Sequence, residues 1–559
     1  MIPHGLRLAY RTDDGSLTTL ERTGFSSFGC QDFALSVEWT GEELALAIEA
    51  IARIELTELV VTFAHDFTRE GILMNGYQSW TDTREYSALS TMPGLTRAPK
   101  AVIDRFVLDG GGDYRFVEYS GRPGYLHGFT YAVFNRYEDL TLVASLDESR
   151  GFTLIRTNPR TRTVTLEPEL SARPLEAGER CILGHFAIIA MQGDDARNRA
   201  YDRWFELAGI TPRPAKPLVG YSSWYRHYDD IDAGKIVGDL AGVFEAISSP
   251  ELAGLCGSAN VAPDPTQVAA IEGAARIAED AEVTWCVQVD DGWCTVGDWL
   301  RPHEDRFPDG MQLVAKAVRK IGFTPGLWLA PFVCSKDSRL FAEHPDWLLR
   351  DAFGEMVSTG SHWNGAYALD TRNPEVRAYV REAIRTAVEE WGFGLLKLDF
   401  LYGACMIPHD GLNRGQLMAD AVDLVREAAG DALLLACGVP LASVFGKVEY
   451  CRVGCDVGLD WNDRAPMRLL HRERVSTKNS LMGARARSPL DGRAFGADPD
   501  IVFLRDDVKL SKDQRKEMHT TAARCGSVLM TSDDMGSWTS DQRKRFARMA
   551  KTIIERKRS

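Results

Sequence analysis

The chain has 559 residues, 45% hydrophobic and 26% charged, with a formal net charge of −14. That length exceeds what one hydrophobic core fills, so two or more domains are expected, and the composition is that of a globular protein. The acidic balance argues against nucleic acid or an anionic membrane as a partner, and the basic tail from Lys551 to Arg558 reads as a solvated helix end.

The start, Met1-Ile2-Pro3-His4-Gly5, has no basic region leading into an apolar stretch, so no signal peptide is expected. The longest apolar runs, such as Leu327 to Cys334, are too short to span a bilayer. Eleven cysteines without a Cys-x-x-Cys fit buried thiols in a reducing cytoplasm. Cys451 and Cys455 would be the start of a zinc site, but no histidine pair accompanies them.

Residues 1–190 alternate or mix apolar and polar residues at strand length, as in Leu140 to Leu146 and Thr163 to Glu167, with glycine and aspartate clusters between. That pattern predicts an antiparallel β-sandwich. The Gly110-Gly111-Gly112 triplet has no helix after it and reads as a loop tip. A helical stretch from Asp195 to Leu207 and the proline-rich Thr211 to Pro217 form a linker over 191–217. From 218 to 559 short apolar runs alternate with amphipathic segments, the mark of βα units.

The strands of that region are expected at Leu218–Trp224, Val283–Val289, Thr324–Ala330, Gly394–Phe400, Leu433–Cys437, Tyr450–Val453, Arg493–Ala497 and Ser527–Met530. Helices are expected at Met311–Lys320, Glu375–Trp391, Gly415–Ala429 and Asp541–Lys557. Eight strands predict a (β/α)8 TIM barrel. An open doubly wound sheet is the alternative, but no Gly-x-Gly-x-x-Gly follows any strand.

The run from Gly394 to Leu401 carries Lys397 and Asp399 inside an apolar strand. Two charges there are costly unless paired or used, and their spacing puts both side chains on one face. Asp290 and Asp291 end the second strand, Arg452 lies in the sixth, and Asp456 comes just after it. Trp224, Trp328, Trp293 and Trp299 accompany them, and indole faces with carboxylates suit a sugar pocket. A single aspartate at a strand end more often caps a helix or meets a cation, and Trp328 alone would pass for core. The cluster favours a site.

Its chemistry has three forms: two carboxylates for glycoside hydrolysis, Lys397 as a Schiff-base amine, or Asp290, Asp399 and Asp456 around magnesium. The residues alone leave these open.

An ordered series of motifs goes further. It includes Asn75-Gly76-Tyr77-Gln78-Ser79-Trp80, Tyr221 to Tyr225, Gln288 to Trp293, Gly326 to Phe332, Ala368-Leu369-Asp370, Lys397 to Phe400, Cys437 to Leu441, Arg452 to Asp456 and Ser532-Asp533-Asp534. The series resembles the bacterial α-galactosidases of glycoside hydrolase family 36, in the clan of the lysosomal enzymes.

The resemblance implies a retaining, exo-acting enzyme with no metal or organic cofactor, acting on a small molecule or oligosaccharide that ends in α-galactose. Oligomeric state is left open. It implies Asp399 as nucleophile and Asp456 as acid and then base. Asp290 and Asp291 would bind the 4- and 6-hydroxyls, and Lys397 hydroxyls near the nucleophile. Trp328 would stack on the sugar, Cys437 would lie near its 2-position, and Arg452 would sit near the acid/base. Trp80 and Trp224 would shape the entrance.

The loop from Ser248 to Ala281 is longer than the family pattern, and Ala497 stands where relatives have asparagine before Asp498-Pro499-Asp500. An α-N-acetylgalactosaminidase or galactosyl transferase would share the scaffold, and a non-catalytic sugar-binding protein is the distant alternative.

Overall fold

The computed structural model describes residues 1–95, 99–256, 281–462 and 472–558. The long loop read between Ser248 and Ala281 falls largely outside them.

Residues up to Gln192 build two antiparallel sheets. One runs, edge to edge, Leu17–Thr23, Ile2–Thr12, Ile54–Ala64, Thr163–Pro168, Thr153–Asn158 and His127–Phe129. The other centres on Glu43–Ala50, Arg180–Gln192, Asp139–Ser145 and Tyr131–Arg136. Period two is plain in Glu43–Ala50, where Leu44, Leu46, Ile48 and Ala50 are buried. These pack in one core with Leu6, Leu8 and Phe63 of the first sheet.

Gly110 and Gly112 are buried, which corrects the expected loop tip. A Cβ on Gly110 would lie 2.8 Å from the Thr359 carbonyl oxygen, so this loop packs against the second half of the chain.

The second half holds a parallel sheet in the order Gly496–Asp498, Tyr450–Arg452, Leu433–Ala436, Leu395–Leu398, Thr324–Leu329, Thr284–Val289, Leu218–Ser222, Val528–Thr531 and Ile501–Val502. Leu395–Leu398 and Val528–Thr531 are buried throughout, as strands covered on both faces must be. The outermost pieces of this order are separated along the chain only by Pro499 and Asp500. Proline has no N–H to give a ladder, and Asp500 has φ +75°, so the extended segment is interrupted there.

Helices follow the strands. Met311–Lys320 buries Met311, Val314, Ala315 and Val318, one stripe at helical spacing. Arg414–Ala429 starts at a capping box between Asn413 and Gln416. The expected helix from Glu375 to Trp391 is α-helical over Pro374–Arg385 and widens to a π-turn over Thr386–Glu390.

The expected linker contains a packed helix, Ala196–Ala208, which burial of Tyr201, Trp204 and Phe205 anchors between the two halves. Trp204 donates its indole N–H to the Ser145 carbonyl at 2.9 Å, and its ring lies 5.9 Å from Phe445 of the second half.

A second tie is Arg487, fully buried on the helix Thr477–Ala486 side. Its guanidinium donates to Asn75 Oδ1 at 2.9 Å, the Gln78 carbonyl at 3.0 Å and the Val453 carbonyl at 3.1 Å. One side chain thereby fixes the loop carrying Trp80 and the turn that leads to Asp456.

Trp204→Ala should cost about 3–5 kcal/mol of stability, the range for removing a buried tryptophan. Thermal denaturation checks this, and Trp204→Phe should lose clearly less.

Candidate active site

The carboxyl ends of the parallel strands open into a cavity of about 460 Å³. Asp290, Asp291, Trp328, Lys397, Asp399, Arg452, Asp456, Trp80 and Trp224 all line it. Cys437 stands behind the wall: it is buried and accepts the Trp80 indole N–H on Sγ at 3.2 Å. Trp224 begins a short helix after the first strand ends at Ser222, one step beyond its expected position in the strand.

Asp399 follows directly on the strand Leu395–Leu398. Its Oδ2 accepts the Trp328 indole N–H at 3.0 Å and its Oδ1 the Phe400 backbone N–H at 2.9 Å. Both donors are neutral. The cations of the cavity go elsewhere.

Lys397 donates to Asp290 Oδ2 at 2.9 Å, and Gln288 donates to the same oxygen at 2.6 Å. Burial opposes the lysine charge, but Asp290 and then Asp399 outweigh it and raise the ammonium above its ordinary range. A Schiff base needs a free neutral amine, so this lysine is poorly suited to aldolase chemistry.

Arg452 is the second hub. It donates to Asp456 Oδ1 at 2.8 Å and Asp498 Oδ2 at 2.9 Å, and pairs with Asp500 Oδ1 at 2.8 Å. Burial works against its charge, while Asp498 and Asp500 more than restore it. Asp500 also accepts the Tyr225 hydroxyl at 2.8 Å and the Val457 backbone N–H at 2.7 Å.

Asp456 is 43% exposed toward the cavity opening and enclosed on its other sides. Desolvation there, then the Asp500 charge, pushes its carboxyl up to about 6, against the pull of Arg452. Asp399 adds to the rise, so the two carboxylates feel one another across the cavity.

Asp290, Asp399 and Asp456 are thus drawn to three different partners, Lys397, Trp328 and Arg452. That arrangement does not favour a shared magnesium ion. Among the described residues no three His, Cys, Asp or Glu side chains cluster as metal ligands. Cys451 and Cys455 are unpaired, buried, and directed at the carbonyls of Arg452 and Ser476.

Several cavity residues were not singled out by sequence. Asp498 and Asp500 flank a proline at the end of the seventh strand segment, and the sequence reading assigned that Asp-Pro-Asp motif no role of its own. Trp363 sits in an irregular loop with no spacing to mark it; its indole N–H reaches Asp291 Oδ2 at 2.7 Å. Burial, then Asp290, lifts the Asp291 carboxyl to about 6, and Trp363 pulls it back.

Phe106, Val107 and Leu108, at the end of the helix Lys100–Phe106, bring the first half of the chain to the cavity. Trp80 does so as well, packed against Phe400 at a point that requires Gly438. There φ is +54°, and a Cβ would lie 2.9 Å from Trp80 Cζ2 and 3.0 Å from the Phe400 nitrogen.

Residues 271–416 match the Melibiase family model. An Escherichia coli alpha-galactosidase is 28% identical over 178 residues, 29% of this chain and 23% of that one. The alpha-galactosidase AgaA of Geobacillus stearothermophilus is 34% identical over 121 residues, 20% of this chain and 16% of that one. The aligned stretches therefore span less than a quarter of these curated relatives.

The fold match is broader. The structure of TtGalA, an alpha-galactosidase from Thermus thermophilus in complex with stachyose, has a TM-score of 0.67 at 24% identity, covering 94% of this chain and 99% of that one. AgaA, described as a GH36 alpha-galactosidase, has a TM-score of 0.60 at 14% identity, covering 99% and 76%. Over 271–416 the sequence is similar to the Melibiase family, and over nearly its whole length the fold is that of these alpha-galactosidase structures.

Proposed function

We propose that the protein is a retaining exo-α-galactosidase that transfers galactose to Asp399 and then to water. The observation that carries this is the unequal setting of two carboxyls in one cavity. Asp456 is held up to about 6, ready to give a proton, and Asp399 is held by two neutral N–H donors.

In the first step an Asp399 oxygen bonds the anomeric carbon as the glycosidic C–O bond breaks, and the Asp456 proton goes to the leaving oxygen. In the second, water attacks the same carbon, Asp456 takes its proton, and the bond to Asp399 breaks. Two inversions return the α-configuration, which requires carboxyls about 5–5.5 Å apart.

Asp290 and Asp291 are proposed to accept the 4- and 6-hydroxyls, with Lys397 donating beside them. Trp80 packs over Cys437 and Gly438, which supports a plain 2-hydroxyl over an acetamido group at that side. Stachyose and p-nitrophenyl α-galactoside in TtGalA structures support a terminal α-galactoside as substrate.

The division into an N-terminal β-sandwich at 1–190, a junction at 191–217 and a (β/α)8 barrel at 218–559 belongs to this reading. Closure would run through Gly496 to Val502 as a split seventh strand. Its first part pairs with Tyr450–Arg452 and its second with Val528–Thr531, which supports an eight-stranded ring. Eleven unpaired cysteines support a reducing, cytoplasmic setting.

Asp399→Ala should lower turnover of p-nitrophenyl α-galactoside by about four orders of magnitude with the circular dichroism spectrum unchanged. Retained turnover would remove Asp399 from its role. Because Asp456 must start protonated, kcat/KM should fall as pH rises through about 6. Asp500→Asn removes a charge that raises Asp456 and leaves Arg452 freer to pair with it, so the alkaline limb should move to lower pH. A limb that stays fixed would contradict the assignment.

A further inference from the structure

Two tryptophans of the cavity wall end on carboxylates. Trp328 donates to Asp399, and Trp363 donates to Asp291 at 2.7 Å. The second is held in an unusual backbone. Trp363 has φ +49° and ψ +46°, a left-handed conformation that bulky side chains rarely adopt. Such outliers persist where surrounding structure over-determines them, and they gather at functional sites.

Here the Ser335 hydroxyl donates to the Trp363 carbonyl at 2.9 Å, and the ring packs 4.7 Å from Phe400 and 6.0 Å from Trp328. The loop bearing it joins two short strands, Ser358–Gly360 and Ala366–Ala368, whose sheet stands beside the cavity.

Asp291 depends on this contact. Its Oδ1 accepts only the Gly292 backbone N–H, at 2.7 Å, and among the described residues it has no ion pair. The neighbouring cations are used elsewhere: Lys397 pairs with Asp290, and Arg306 donates to the carbonyls of Asp229 and Gly292. The remaining titratable neighbours, Asp290, Asp229 and Cys294, either oppose its charge or are opposed by it. Among the described residues the indole N–H is its one side-chain donor, and both oxygens retain room to accept hydroxyls.

We propose that Trp363 is a positioning residue that fixes Asp291 as an acceptor for hexose hydroxyls and so sets affinity for the sugar. The inference rests on the galactosidase reading above. Burial already lifts the Asp291 carboxyl to about 6, so removing the donor lifts it further and the carboxylate form is lost at higher pH.

The test is Trp363→Phe, which keeps a ring and removes the donor. KM for p-nitrophenyl α-galactoside should rise about tenfold near pH 6, the size of one charge-assisted hydrogen bond, with kcat within about twofold. The acidic limb of 1/KM should shift to higher pH. In an Asp291→Asn background the same change should add nothing further to KM.

Additive effects, or a loss confined to kcat, would overturn the assignment. If Trp363→Phe misfolds, replacing the indole by isosteric benzothiophene removes only the N–H and must give the same KM rise. Absence of turnover in the unaltered protein would defeat the galactosidase reading instead. Calorimetric titration with galactose would then still read whether the Trp363 donor governs binding.

Discussion

Seven carboxylates share one cavity with Lys397 and Arg452, and the way those two cations are shared governs the rest. Lys397 goes to Asp290, and Arg452 is divided among Asp456, Asp498 and Asp500. Unpaired charges cannot be buried cheaply, so each assignment constrains the next. Asp399 is left with an indole and a backbone N–H, donors that hold its position without pairing its charge. That is the state a nucleophile needs. Asp456 has a cation, but it also has Asp500 nearby and a desolvated setting, so its proton is retained further toward neutrality. In the proposed mechanism, two residues of the same type thus take opposite duties through their surroundings.

The N-terminal sheets are part of this arrangement. Trp80 crosses from them to Cys437 and Phe400, and Arg487 crosses back to hold its loop. The Arg487 guanidinium has no carboxylate among its hydrogen-bond partners, only carbonyls and one amide oxygen, and burial lowers its pKa to about 10. A buried donor set of that kind is specific in geometry, because each carbonyl it leaves would be unsatisfied. Domain docking and cavity shape are therefore one problem, with Val453 next to the Asp456 turn at one end and Gln78 next to Trp80 at the other.

Much of this could be read in the sequence. The strand positions of the second half agree to within a residue or two for most elements, because strands covered on both faces are continuous apolar runs between helical periods. The seventh segment was harder to read: Pro499 breaks the run, and nothing local marks the acids beside it as partners of Arg452. Trp363 was missed because nothing local requires a tryptophan in that loop; its value lies in Asp291, 72 positions earlier. The Gly110 loop was misjudged for a similar reason, since its packing surface comes from Thr359. Residues whose role depends on distant partners leave little trace in local pattern.

The most direct measurement is chemical trapping. A fluorinated α-galactosyl fluoride that forms the glycosyl intermediate but slows its hydrolysis should inactivate the protein and leave one sugar per chain. Peptide mass spectrometry should then find that sugar on the segment from Leu395 to Leu401, at Asp399. A label on Asp456 or Lys397, or catalysis without any covalent adduct, would contradict the account.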